Sequence, residues 1–239
     1  MLCKDLENEL NLKYKTIGVR LANACDDDCK QDFKHCVLEA LNLVTHGEKI
    51  VIHIDNLKCN GAKTGCGFVD GVPNIVGGFG NFISNGAGEG FPSGERLKAS
   101  PRIAEAMITS QHQNVLDGNE YLILKPYEED DEADIVIFFV NADQLSALTF
   151  LFNYEKGGFD TIIAPAVSGC ASVFRIPVGE SKFLAPRAVI GNLDIFSRPH
   201  FDADVVSFAV SHSDYLNMLK NADECFFRTN AWAKIKSRL

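Results

Sequence analysis

The stretch Asp134-Ile135-Val136-Ile137-Phe138-Phe139-Val140 carries six apolar side chains in succession. An unbroken apolar run of this length marks a strand covered on both faces, because a strand with one wet face alternates. The chain must therefore build a sheet with helices on each side. Asn141 can cap a following helix whose Leu145, Leu148 and Phe152 face inward, with Gly157-Gly158 as its stop. Asp160-Thr161-Ile162-Ile163-Ala164 reads as a second strand, completing a β-α-β crossover with parallel strands. Ligands in parallel sheets bind beyond the carboxyl ends of the strands. The segment placed there is Val167-Ser168-Gly169-Cys170-Ala171-Ser172, with Asn141 at the corresponding end of the neighbouring strand.

Around this unit the remaining elements follow from periodicity. Residues 4 to 15 suit a short amphipathic helix and Thr16 to Leu21 a first strand. Phe33, Cys36, Val37, Ala40, Leu41 and Val44 recur on one helical face, which puts Cys36 on the buried side, and Gly47 stops that helix. Lys49 to Asp55 alternates as a strand and delivers the chain to a glycine-laced turn, Cys59 to Phe68. From Gly71 to Gly94 glycines dominate, as in a lid or binding loop, but without the Lys-Ser/Thr of a phosphate-binding loop. Ser100-Pro101 starts a helix with Ile103, Ala106, Met107 and Ser110 inward. Strands at 121–124, 188–191 and 204–210 and two helices from Ser213 to Leu239 complete the chain. With no linker and no repeat, residues 1–239 read as a single α/β domain with a mixed, partly parallel sheet flanked by helices; α+β is the alternative.

A formal charge of -9 and a pI near 5.1 argue against nucleic acid or an anionic membrane as partner, since both need a positive face. The N-terminus lacks a signal-peptide core and no run approaches a membrane span, so a cytoplasmic protein is expected. In that setting the eight cysteines point to metal ligation, redox chemistry or plain burial before disulfides. The Cys25-Asp26-Asp27-Asp28-Cys29 loop lacks the spacing of a cluster motif and reads as a solvated charged loop.

Three readings of the site remain open. Cys36, Cys59 and Cys170, with Cys66 as fourth ligand, are a thiolate set for an iron–sulfur cluster, and tetrahedral zinc uses the same donors. The opposing view is that cysteine often packs as a small hydrophobe. In the second reading Cys170 is a catalytic thiolate, with Arg187 or Arg198 as a nearby charge and His200 as a base. In the third, a small anionic ligand is held without thiol chemistry by Arg20, Asn141, Gln144 and Arg187, with Ser168 and Gly169 in the adjoining turn. A small molecule or a redox protein is the partner these readings call for.

Several stretches together resemble a known family, domain of unknown function 169, found largely in anaerobic archaea and bacteria. They are Thr16 to Leu21, Cys36 with its alanine-bearing helix and Gly47-Glu48, Cys59-Asn60-Gly61-Ala62, Val136 to Gln144, and Ser168-Gly169-Cys170-Ala171. Ala142 stands where many members have proline, and Cys25, Cys29 and Cys66 have no matched position. The resemblance implies a cysteine-centred ligand or cofactor site and no particular activity.

Overall fold

The computed structural model describes residues 1–25, 36–86 and 93–239. Its strands are β1 (Ile17–Ala22), β2 (Ile50–His53), β3 (Tyr121–Pro126), β4 (Ile135–Val140), β5 (Ile162–Ile163), β6 (Ala188–Gly191) and β7 (Val206–Ser211). They form one sheet in the order β2-β3-β1-β4-β7-β6-β5. All pairings are antiparallel except β5 with β6, so the sheet is mixed and partly parallel as expected.

β4 lies at the centre with all six residues buried, in accord with its apolar run. Its side chains alternate between two cores. Ile135, Ile137 and Phe139 join Ile17, Val19 and Leu124 beneath α2 (Val37–Thr45) and α3 (Asn60–Gly65). Val136, Phe138 and Val140 face the opposite layer, built from α1 (Cys3–Glu9), α6 (Ala142–Phe152), α8 (His212–Asn221) and α9 (Asn230–Lys236). No helix among the described residues is long and apolar enough to cross a membrane.

The expected crossover is corrected in one respect. β4 and β5 run in the same direction, but β7 and β6 stand between them. β7 offers β4 a register of six residues, whereas β5 is only two residues long and is left at the sheet edge. The adjacent parallel pair is β5–β6, and its crossover is a helix the sequence pattern does not announce: a π-helical turn, Ala171–Arg175, running into α7 (Ile176–Ser181). Pro177 accounts for the widened turn, since proline lacks an N–H and its ring crowds the carbonyl four residues back.

Three further expectations change. The turn at 59–68 contains α3, with Cys59 and Cys66 at its two caps. The glycine-rich segment 71–94 is not one loop: it contains α4 (Phe79–Ile83), and its residues 87–92 lie outside the described residues. On α5 (Pro101–Thr109) the buried positions are Ala104 and Ile108, while Ile103 is exposed, because this helix packs on α4 through Phe79 and not on the main sheet. The Asp26–Asp28 and Cys29 loop and Phe33 also lie outside the described residues.

Candidate functional site

The cysteines gather where three helices begin. Cys36 is the N-cap of α2, Cys59 the N-cap of α3, and Cys170 lies in the first turn of the helix that leads into the π-helical segment, behind Ser168 as its cap. Cys66 closes α3 at its other end. Cys36 is thus an exposed cap and not a buried helix-face residue, since the helix begins one position after it. Cys59 is also exposed, Cys170 is half-buried, and Cys66 is enclosed in the core.

Two glycines allow the elements this close. A Cβ on Gly65 would lie 2.7 Å from the Cys170 Cβ and 3.1 Å from the Ala171 nitrogen, so α3 rests directly on the turn bearing Cys170. A Cβ on Gly169 would meet the Ser197 Oγ at 2.4 Å and the Leu38 Cδ2 at 3.4 Å, which brings the first turn of α2 to the same place. The turn itself is fastened by local hydrogen bonds. Gly169 N–H donates to Asp194 Oδ2 at 3.0 Å and Ala171 N–H to Ser168 Oγ at 3.3 Å. Ser172 Oγ donates to the Gly169 carbonyl at 2.9 Å and accepts from Asn192 N–H at 3.0 Å.

The electrostatics bind the thiols into one group. The Cys170 thiol is held well above its ordinary pKa, first by its hydrogen bond with Cys66, then by burial and the negative influence of Cys66 and Asp194. Burial pushes Cys36 up as well, reinforced by Cys170 and Cys59 and opposed by the Leu38 and Glu39 amides. The Cys59 sulfur accepts from Ala62 N–H at 3.4 Å. Among the described residues, no group of three or more His, Cys, Asp and Glu side chains is arranged to hold a metal ion. The remaining thiols stand apart: Cys3 and Cys225 are buried in the opposite layer, and Cys25, against the expectation for this chain, is disulfide-bonded.

Beneath the group lies a residue that motif reading missed. Arg175 is 1% exposed and donates five hydrogen bonds: to the carbonyls of Thr64 (2.8 Å), Val69 (3.0 Å) and His112 (2.7 Å), to Gln113 Oε1 (3.2 Å), and to Asp70. It ties the last turn of α3 to the helix headed by Cys170. The signal was an arginine inside the apolar run Val173-Phe174-Arg175-Ile176, which a folded chain tolerates only if the cation is partnered.

The anionic-ligand set does not come together. Arg20 projects from the face of β1 opposite Val19 and lines a groove with Lys49 and Lys125, on the other side of the sheet from the thiols. Asn141 and Gln144 cap each other reciprocally at 2.9 and 3.0 Å, and the Gln144 amide also donates to the Leu10 and Asn11 carbonyls. Arg198 is committed to the carbonyls of Asn192, Ala203 and Val205. His200 receives the Asn42 amide on its backbone carbonyl at 2.7 Å. Arg187 precedes β6 and is paired with buried Glu180 at 2.6 and 3.0 Å, the same carboxylate that meets His112 Nε2 at 3.0 Å.

That pairing has a measurable consequence. Burial by itself raises the Glu180 carboxyl, but Arg187 and His112 outweigh it and hold the group below its ordinary value of 4.5. A depressed carboxyl stabilises the fold above its unfolded pKa, and that stability is lost as pH falls through the folded value. The unfolding free energy is therefore expected to decline on acidification below about pH 4.5, and Glu180→Gln to flatten that decline. Urea titrations across the acid range provide the check; an unchanged acid slope in the variant would remove Glu180 from the account.

Comparison with known proteins returns one result. A family model described as DUF169, uncharacterised ArCR, matches residues 5–221. No curated protein and no solved structure matches the chain.

Proposed function

The chain belongs to the DUF169 family, and we propose that its gathered thiols, Cys36, Cys59, Cys66 and Cys170, hold an iron–sulfur cluster, with zinc as the alternative occupant. The observation that carries this reading is the gathering of four free cysteines from three separate parts of the chain: Cys36 and Cys59 at the starts of α2 and α3, Cys66 at the end of α3, and Cys170 in the first turn of a third helix. Four thiolates are the usual donor set for either occupant. Cysteine is also a weaker choice for an N-cap than Ser, Asp or Asn. Its use at the caps of α2 and α3 favours a purpose for the sulfur beyond capping.

The donor type suits a soft cation, although the described side chains are not themselves arranged as a metal-holding group, so binding would have to draw the thiols together. Helix N-termini favour negative charge, and the amide hydrogen bond to the Cys59 sulfur is of the kind that stabilises a thiolate. Yet burial raises Cys36, the hydrogen bond with Cys66 and then burial raise Cys170, and the neighbouring thiols and Asp194 add to both effects, so both keep their protons in the free protein. A soft metal would displace those protons and supply the positive charge that the surroundings lack. A cluster in this position would supply one-electron transfer, with a redox protein or a small molecule as its partner. The same raised pKa argues against Cys170 as a thiol activated toward a substrate in solution, because such thiols have depressed values, whereas exchange with a neighbouring sulfur rests on proximity.

The test is metal and acid-labile sulfide content, with the visible spectrum, of anaerobically purified native protein and of Cys59→Ser. Cys59 is exposed and serine is a good N-cap, so the variant keeps its fold. Iron with sulfide is expected in the native protein. In Cys59→Ser the affinity should fall by more than the roughly 10–100-fold that follows loss of an outer-shell partner. Stoichiometric zinc without sulfide would select the alternative occupant, and an absence of metal from both preparations would overturn the proposal.

A further inference from the structure

Three of the four thiols are graded in depth, with Cys59 exposed beside them. Cys36 is exposed at the start of α2, Cys170 is half-buried, and Cys66 lies in the core. The Cys66 and Cys170 thiols are hydrogen-bonded to each other, and Cys36 lies within electrostatic reach of Cys170. The contact between Gly169 and Leu38 sets the first turn of α2 against the Cys170 turn. α3 meets the same turn through Gly65, where an added Cβ would overlap the Cys170 Cβ, and the residue after Gly65 is Cys66. Cys66 belongs to the main core cluster, and Cys170 packs against it.

From this arrangement we propose a second activity for the site: a thiol relay that carries oxidising equivalents inward from Cys36 through Cys170 and ends in a Cys66–Cys170 disulfide. The substrate class is a low-molecular-weight disulfide, R–S–S–R. Cys36 attacks one sulfur and releases the first R–SH. Cys170 attacks the Cys36 sulfur of the mixed disulfide and releases the second R–SH, leaving a Cys36–Cys170 bond. Cys66 then attacks the Cys170 sulfur and returns Cys36 to its thiol. In sum, two protein thiols are oxidised by two electrons, one substrate disulfide is reduced, and the two protons leave on the two R–SH products.

Depth gives the relay its direction. A disulfide between core residues is shielded from solvent thiols, whereas one at the surface remains open to exchange. The backbone approach at Gly65 brings the two inner residues together before any bond forms. Cys3 and Cys225, buried in the other layer, serve as internal controls that take no part.

The inference uses the thiols of the proposed cluster site but needs no cluster. The experiment therefore employs metal-free, reduced full-length protein treated with oxidised glutathione, quenched by alkylation at intervals and mapped by peptide mass. One intramolecular disulfide, Cys66–Cys170, is expected with release of two glutathione thiols. Cys36→Ser should reach the same product roughly tenfold or more slowly. Cys66→Ser should stop at the Cys36–Cys170 bond. Free, alkylatable Cys66 and Cys170 after full treatment would overturn the inference, as would closure at the native rate in Cys36→Ser. Metal loading measured separately on the reduced protein keeps the two ideas distinct: disulfide closure without metal binding would sink only the cluster, and metal binding without closure only the relay.

Discussion

Arg175→Met is expected to lower the unfolding free energy by about 3–5 kcal/mol, the range for removing one partner of a buried, hydrogen-bonded charge network. The guanidinium serves five acceptors, among them three backbone carbonyls from segments far apart in sequence. Methionine fills much of the volume but leaves these acceptors unpaired, and an orphaned buried acceptor costs on the order of 1–3 kcal/mol. Asp70 is about half exposed and can turn to water, so the penalty falls mainly on the carbonyls of Thr64, Val69 and His112. Arg175→Lys should recover only a minor part, because an ammonium is a point donor without the planar fork. Urea unfolding with an unchanged slope is the measurement. A loss below about 1 kcal/mol would mean that water or local movement replaces the network. Since Thr64 lies in the last turn of α3, the variant should also loosen Cys66 from Cys170 and reduce both metal loading and disulfide closure.

Gly65→Ala should have the second-largest effect, and its sign runs against helix propensity. Gly65 has no positive φ, and alanine in a helix interior is favoured over glycine by about 1 kcal/mol. The added Cβ, however, would stand 2.7 Å from the Cys170 Cβ, 3.1 Å from the Ala171 nitrogen and 3.3 Å from the Ser168 Oγ. The first two are part of, or directly attached to, the backbone and cannot swing aside, so α3 and the Cys170 helix must separate. Overpacking of this kind costs about 1–3 kcal/mol. Separation should also abolish the Cys66–Cys170 disulfide. Gly61→Ala is the matched control. It lies on the same short helix, and its Cβ would meet only the Cys59 sulfur at an ordinary 3.5 Å. Retained stability and disulfide closure in Gly61→Ala, with loss of both in Gly65→Ala, is the expected pattern. Native-like closure in Gly65→Ala would show that the two helices are not in fixed contact.

Much of the framework was legible from local pattern. The run from Ile135 to Val140 announced a strand buried on both faces, and it is the central one. Asn141 and Gln144 at the start of α6 were readable as a helix cap, and they form a reciprocal capping box. The helix from Ala171 to Ser181 was not legible, because Pro177 and Gly179 break the usual signals and the π turn shifts the apolar period. Arg20 and Arg187 share a charge type with known anion-binding residues, but charge type says nothing about which face of the sheet, or which acidic partner, a side chain meets.

The sequence by itself determined the strands, the longer helices and the four cysteines worth watching, because periods of 2 and 3.6 and the identity of a thiol are properties of the chain read locally. Only the tertiary structure decided that β7 and not β5 lies beside β4, and that Cys36, Cys59, Cys66 and Cys170 gather around the ends of three helices. The sheet order follows from which strand buries more of its length against β4, six residues for β7 against two in all for β5. The thiol cluster follows from where Gly65 and Gly169 let backbones touch. Both depend on contacts between residues distant in the chain, and no local pattern carries that information.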